Sequence, residues 1–441
     1  VGKTVEAAQL KPFINDQIEV RYNITVVKTV DKNTFEVSGI IKIVNNNAFK
    51  KAEVSVIDKI YDGATLITSK DLGAFTIDPG KTLEVPYKIT FTAVPGKEYT
   101  NTAQVKLNNY HWNYLGEKIG SAIGTTEFTG SMKFTYSTPN KKIYDSVKVT
   151  DVQNVPSGLT IVDSNYPTGG WTTNVDAKFV VNKVVKAIKV GTWPLKDEAI
   201  AENATQTWRS GEKTLTFTVY EIAVSKDAKP WWEQSFDWTI EKTVSPTTLT
   251  LQQGGTGSVT YTVVITKTLA GEIFKVNGTI TIVNNNPEKY ATVNVTDKIH
   301  RLDGSVVVFQ YLGIYTINPG KTLVLNYEIF FKPEIGIEYT NVAHVDLENF
   351  KWKLDGSKNY LYNTEFVGKA TFKFTSPTKI IDNSAKVEEV ETVPAGFSAV
   401  VDWGTQGPPP WTVTGSTTII FTKQITEVNA EVCNWYDMPN T

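Results

Sequence analysis

Apolar and polar residues alternate with a period of two along most of this chain. Val20, Tyr22, Ile24 and Val26 are separated by polar positions, and Phe35, Val37, Gly39, Ile41 and Ile43 form a second such set. Leu83, Val85, Tyr87, Ile89 and Phe91 repeat the pattern, as do Leu323, Leu325, Tyr327, Ile329 and Phe331. Successive side chains of a strand point to opposite faces, so each set predicts a strand with one face on a core and the other on solvent or a neighbour. Turn signals separate the sets: Asn45-Asn46-Asn47, Asp62-Gly63 and Asp78-Pro79-Gly80, then Asn284-Asn285-Asn286, Asp303-Gly304 and Asn318-Pro319-Gly320. No segment carries a convincing helical stripe of apolar residues. Short strands at regular spacing predict an all-β fold of antiparallel sandwiches, Ig-like or jelly-roll-like.

The pattern is written twice. FEVSGIIKIVNNNAFKKAEVSVIDKI (35–60) aligns without gaps to FKVNGTITIVNNNPEKYATVNVTDKI (274–299), with 16 of 26 positions identical at an offset of 239. DLGAFTIDPGKTLEV (71–85) matches YLGIYTINPGKTLVL (311–325), and EYTNTAQVKLNNY (98–110) matches EYTNVAHVDLENF (338–350). An offset that stays between 238 and 240 marks a collinear duplication. The predicted organisation is a module over 1–200, a strand-bearing connector over 201–237 and a second module over 238–441. Each module is longer than one ordinary Ig-like domain of about 100 residues. It accommodates either two small sandwiches or one enlarged one.

The connector contains TLTFTVYEIAV (214–224), itself a strand pattern, followed by Trp231-Trp232. Copy two opens with FDWTIEKTV (236–244), whereas VGKTV (1–5) aligns only with its end. Surplus and shortened strands are what edge pairing or strand donation between subunits needs. Val1, Val5, Thr214, Val224 and Trp435 are the candidate subunit-contact positions; a trimmed terminus with a packed linker strand is the plainer alternative.

The stretch WTIEKTVSPTTLTLQQGGTGSVTYTVVITKT (238–268), followed by FKVNGTITIVNNN and a V-x-V-x-D strand, resembles Ig-like repeats of large prokaryotic surface proteins. The resemblance covers about 60 residues of copy two well and copy one more loosely. It implies an extracellular, structural or adhesive module.

Composition narrows the chemistry. Of 441 residues, 41% are hydrophobic and 20% charged, enough apolar material for large cores. Lys and Arg (44) nearly cancel Asp and Glu (46), which argues against a nucleic-acid platform. One cysteine excludes disulfide frameworks and cysteine-based zinc sites. Cys433 is expected to be a small buried apolar residue beside Trp435. No stretch approaches the roughly 18 apolar residues of a membrane span. The chain opens at Val1 without a charged n-region and apolar h-region, as expected after signal-peptide removal or in a processed fragment.

Catalytic constellations are absent from the sequence pattern. His111, His300 and His344 lack metal-ligand spacing. Gly254-Gly255-Thr256-Gly257 reads as a hairpin turn. Asp58 and Asp297 end equivalent strands and are weak calcium candidates. A calcium ion needs six to eight oxygens, and no Asp-rich loop supplies them. The favoured reading is a strand-end carboxylate that accepts backbone N–H bonds. Asn23, Asn203, Asn277 and Asn294 stand in N-x-[ST] sequons, possible glycosylation sites. Trp171, Trp411, Trp112 and Trp352 sit at positions recurring in both copies, which favours packing over sugar stacking.

The expected function is a non-enzymatic structural subunit of an extracellular surface assembly, a filament, pilus-like appendage or tube. It polymerises with itself head to tail through strand-edge pairing or donation. An S-layer-type lattice protein and an adhesin binding cell-surface glycans are the alternatives. No cofactor, nucleic-acid partner or membrane insertion is expected.

Overall fold

The computed structural model describes residues 1–430 and 434–439. Among them the chain is almost entirely strand, and the one helical element is a single 3-10 turn at Gly404–Gln406. The fold is all-β, and its strands pack as four sandwiches, each with its own core.

The first sandwich is built from both ends of the N-terminal half. Gln17–Val26 pairs with Gly2–Val5 on one side and Ala177–Ala187 on the other, and Leu159–Ser164 extends the sheet. Val147–Asn154, Gly191–Glu202 and Lys213–Val219 form the facing sheet. Between them Tyr22, Ile24, Val181, Val185, Leu195, Leu215 and Phe217 are fully buried. The alternation of Val20, Tyr22, Ile24 and Val26 is what places these side chains inward.

The second sandwich lies within the first in sequence. Phe35–Val44 pairs with Thr82–Phe91 in a sheet of two strands. It faces a four-stranded sheet of Thr65–Ile77, Ala52–Asp62, Glu98–Trp112 and Lys118–Thr135. Ile60, Ile89, Phe91 and Tyr99 fill one part of its core, and Val54, Val56, Ile77 and Val105 the other.

The third and fourth sandwiches share two long strands, Lys229–Ser245 and Thr256–Asn284. Their ladder slips by one residue where Ser235 faces Gly271 but Phe236 faces Leu269. A bulge of one residue exchanges the two faces of a strand. Val259, Tyr261, Val263 and Ile265 therefore point into the fourth core, and Phe274, Val276, Ile280 and Ile282 into the third. The N-terminal half has no such continuous strand: Gln17–Val26 and Phe35–Val44 are separated by residues 27–34. Val306–Ile317, Ala291–His300, Glu338–Trp352 and Lys358–Lys373 complete the third sandwich. Thr417–Glu427, Phe397–Asp402 and the pair Ala385–Val387 with Trp411–Val413 complete the fourth.

Strands of the 201–237 segment are shared between sandwiches. Thr207–Arg209 and Lys213–Val219 extend the first, whereas Ile222–Lys226 pairs with Thr256–Asn284 in the third. The chain thus leaves one core and enters another within three residues.

Candidate functional site

Ile222–Lys226 forms an antiparallel ladder on the third sandwich, with Ile222 opposite Asn284, Val224 opposite Ile282 and Lys226 opposite Ile280. Its alternation sends Ile222, Val224 and Lys226 inward. Ile222 is buried in the core and Val224 packs against it. Opposite, Gly368 leaves room for this strand: a Cβ there would stand 3.0 Å from Val224 Cγ1. Lys226 Nζ donates to Asp297 Oδ2 at 2.7 Å, with both side chains wholly excluded from solvent. The ammonium also lies 3.4 Å from the centroid of the Tyr327 ring, whose face attracts a cation. Tyr327 Oη donates to the carbonyl of Asp227 at 2.5 Å. Burial pulls Lys226 down to about 8 and pushes the Asp297 carboxyl up, and in each case the ion pair opposes the shift.

Among the described residues no strand takes the matching positions of the second sandwich. Phe35–Val44 pairs on one side only, with Thr82–Phe91. The surrounding architecture is the same: Asn45 Nδ2 donates to the carbonyls of Lys50, Ile77 and Asp78, as Asn284 Nδ2 does to those of Lys289, Ile317 and Asn318. Asp58 is as buried as Asp297, but where Asp297 Oδ2 accepts from the Lys226 ammonium, Asp58 Oδ2 accepts from Asn101 Nδ2 at 3.1 Å, and the backbone N–H of Lys59 bonds the same carboxylate. Oδ1 of each of the two carboxylates is without a hydrogen-bond partner, and the difference lies in the cation: among the described residues no ammonium or guanidinium forms an ion pair with Asp58, on which the Lys70 charge acts from farther away. Burial pushes its carboxyl above the ordinary value, against the Asn101 bond. Tyr87 lies over Gly39, where a Cβ would come within 2.9 Å of its ring, whereas Asp227 occupies that place over Gly278. Across the slot Phe128 is 54% exposed, while Phe366 packs on the third core.

A second contact joins the halves. Asp16 is wholly buried and accepts from Phe13 N (3.1 Å), Asn349 Nδ2 (3.2 Å), Phe350 N (3.0 Å) and Trp352 Nε1 (3.1 Å), with Lys289 Nζ at 3.9 Å. Phe13 enters the third core. The loop after Gln9–Leu10 thus plugs the tip of the third sandwich. The equivalent tip of the second, with Lys50 over Trp112 at 4.3 Å, carries no such plug.

The residues singled out from the sequence fall as follows. Val5 pairs with Tyr22 within its own chain, and Val1 packs on the first core. The N-terminal strand is held there by Lys3, which is buried and paired with both Asp151 and Asp197. Thr214 pairs with Lys196 and Val224 with Ile282, whereas Trp435 is 86% exposed. Asn23 and Asn294 sit within sheets, and Asn294 Oδ1 is buried without a partner. Asn277 is exposed on a central strand, and Asn203 shapes a turn by accepting from the amides of Thr205 and Gln206. Among the described residues no group of three or more His, Cys, Asp or Glu is placed to hold a metal ion. The position a cation would take beside Asp297 holds the Lys226 ammonium. Trp171 stacks on Phe179 at 4.6 Å and Trp411 is buried, while Trp352 bonds Asp16 and Trp112 is 42% exposed. Cys433 lies outside the described residues.

The sequence reading overlooked Lys226, Tyr327, Asp16 and Lys289. The strand pattern was followed to Val224, two residues short of the lysine that continues its inward face.

No family model and no curated protein matches this chain. Among solved structures, dimeric latent PorU from Porphyromonas gingivalis is similar at 11% identity and a TM-score of 0.12, over 83% of this chain and 32% of that one. The chain spans about a third of that protein's length.

Proposed function

We propose that this protein is a non-catalytic structural subunit of an extracellular surface assembly, a filament or tube, built head to tail by strand donation. The observation that carries this reading is the edge of Phe35–Val44, unpaired among the described residues, beside a buried carboxylate that forms no ion pair there. At the matching edge of the third sandwich, a strand leaving the first sandwich fills the slot and crosses the junction between the halves. The same relation repeated between chains, with a strand from one subunit entering the second sandwich of the next, is heterologous and generates an open polymer. Buried main-chain bonds and a desolvated ion pair would hold such subunits to one another.

The test is electron microscopy with size-exclusion chromatography of the full chain at neutral pH. Regular filaments or tubes are expected. Uniform particles of 48.9 kDa at every concentration would overturn the reading.

A further inference from the structure

We propose that the open edge of Phe35–Val44 takes one extended strand from another polypeptide, of sequence apolar–x–apolar–x–Lys, and that its ammonium pairs with Asp58. The inference rests on the strand-donation reading and names the chemistry of the strand.

The register is set by the occupied slot. Asn45, Ile43 and Ile41 correspond, at the offset of 239, to Asn284, Ile282 and Ile280, which pair with Ile222, Val224 and Lys226. The two apolar residues of an incoming strand would cover Ile41 and Ile43, which are half-buried where Ile280 and Ile282 are fully buried. The third inward position would then lie beside Asp58.

Charge decides what that position carries. Asp58 is buried and forms no ion pair among the described residues, so an apolar residue there would leave a desolvated anion without one. An acidic residue would add repulsion. A divalent cation finds one carboxylate and one amide, short of the six to eight oxygens calcium takes. A lysine supplies the missing charge on a stem long enough to follow the slot, as Lys226 does toward Asp297. The groups facing Asp58 leave the ion pair to the incomer: Asn101 and the Lys59 amide are neutral donors, Tyr87 is a phenol, and Lys70, whose charge favours the carboxylate, donates to the carbonyl of Lys88 at 3.0 Å and forms no ion pair with Asp58. Edge N–H and C=O groups select a strand over a helix, because only an extended chain can continue the ladder.

The probe is a fluorescent peptide of residues 220–228, YEIAVSKDA, titrated into the full chain and followed by anisotropy. Saturable binding of one peptide per chain is expected. The D58N chain, or a peptide carrying K226M, should weaken binding at least about tenfold, and combining the two should cost little more than either alone. The peptide variant leaves the protein untouched, so it decides the matter even if D58N perturbs folding. No saturable binding, or equal binding by wild type and D58N, would overturn the pairing. Polymers that form while the peptide neither binds nor competes would also overturn it, with the assembly reading intact. Asp58-dependent binding by a chain that never polymerises would uphold the pairing and sink the assembly reading.

Discussion

Lys226 and Asp297 are 71 residues apart in sequence and 2.7 Å apart in space, with both side chains excluded from water. Asp58, at the equivalent position within Ala52–Asp62, forms no ion pair among the described residues. The pair and the orphan give opposite expectations for substitution.

Removing one member of a buried ion pair leaves the other charge desolvated, at a cost of about 3–5 kcal/mol. K226M is therefore expected to destabilise the third sandwich by that order, and K226M/D297N to recover most of the loss. Denaturant unfolding, with hydrogen exchange to locate the effect in residues 220–375, checks this. Equal stability of K226M and the double variant would contradict it.

D58N is expected to act the other way in the free chain. Burial raises the Asp58 carboxyl above its ordinary value of 3.8, so the folded state holds that proton more tightly than the unfolded one. The associated stability is complete below about pH 3.8 and is lost as pH rises through the raised value. Replacing the carboxylate with an amide should add about 1–2 kcal/mol at pH 7 and less at pH 4. Denaturant midpoints of the two chains at both pH values give the comparison. A destabilised D58N at pH 7 would show that Asp58 is compensated in the free chain.

Alkaline stability should pass through a maximum. Burial holds Lys226 and Lys289 at about 8, against 10.5 in the unfolded chain. Between those values the unfolded state binds more protons, so stability rises with pH. Burial together with nearby carboxylates holds Tyr22 and Tyr327 above the ordinary 10.0, and the stability they contribute below pH 10 is lost as pH climbs further. The thermal midpoint is expected to rise from pH 8 toward pH 10 and to turn down beyond it. A steady fall from pH 8 would refute the assignment to the two lysines.

Much of the fold was legible in the sequence because its signals are local. Alternation at Val20, Tyr22, Ile24 and Val26 states which side chains face a core, and Asp78-Pro79-Gly80 states where a strand must turn. The recurrence of Asn45 and Asn284 marks the same three-carbonyl clamp in each half. Asp58 and Asp297 were legible as equivalent carboxylates, but not at strand ends as expected: their strands run on to Asp62 and His300, and their different surroundings were not legible. Asp16 was overlooked because three of its four hydrogen-bond donors, Asn349, Phe350 and Trp352, lie more than 330 residues away. Nothing near it in sequence distinguishes it from an ordinary turn aspartate.

The sequence by itself determined the strand class, the inward faces, the turns and the internal repeat, since each depends on neighbours a few residues apart. Tertiary structure alone decided which strand lies beside which. Phe35–Val44 and residues 274–283 share six of ten residues and the same apolar alternation, yet among the described residues one edge is bare and the other is filled by Ile222–Lys226. Period-two alternation specifies a face and says nothing about the partner across the ladder, because any extended chain can satisfy the same main-chain bonds. The same V-x-V-x-D stretch therefore carries an ion-paired carboxylate in one half and, among the described residues, one without an ion pair in the other.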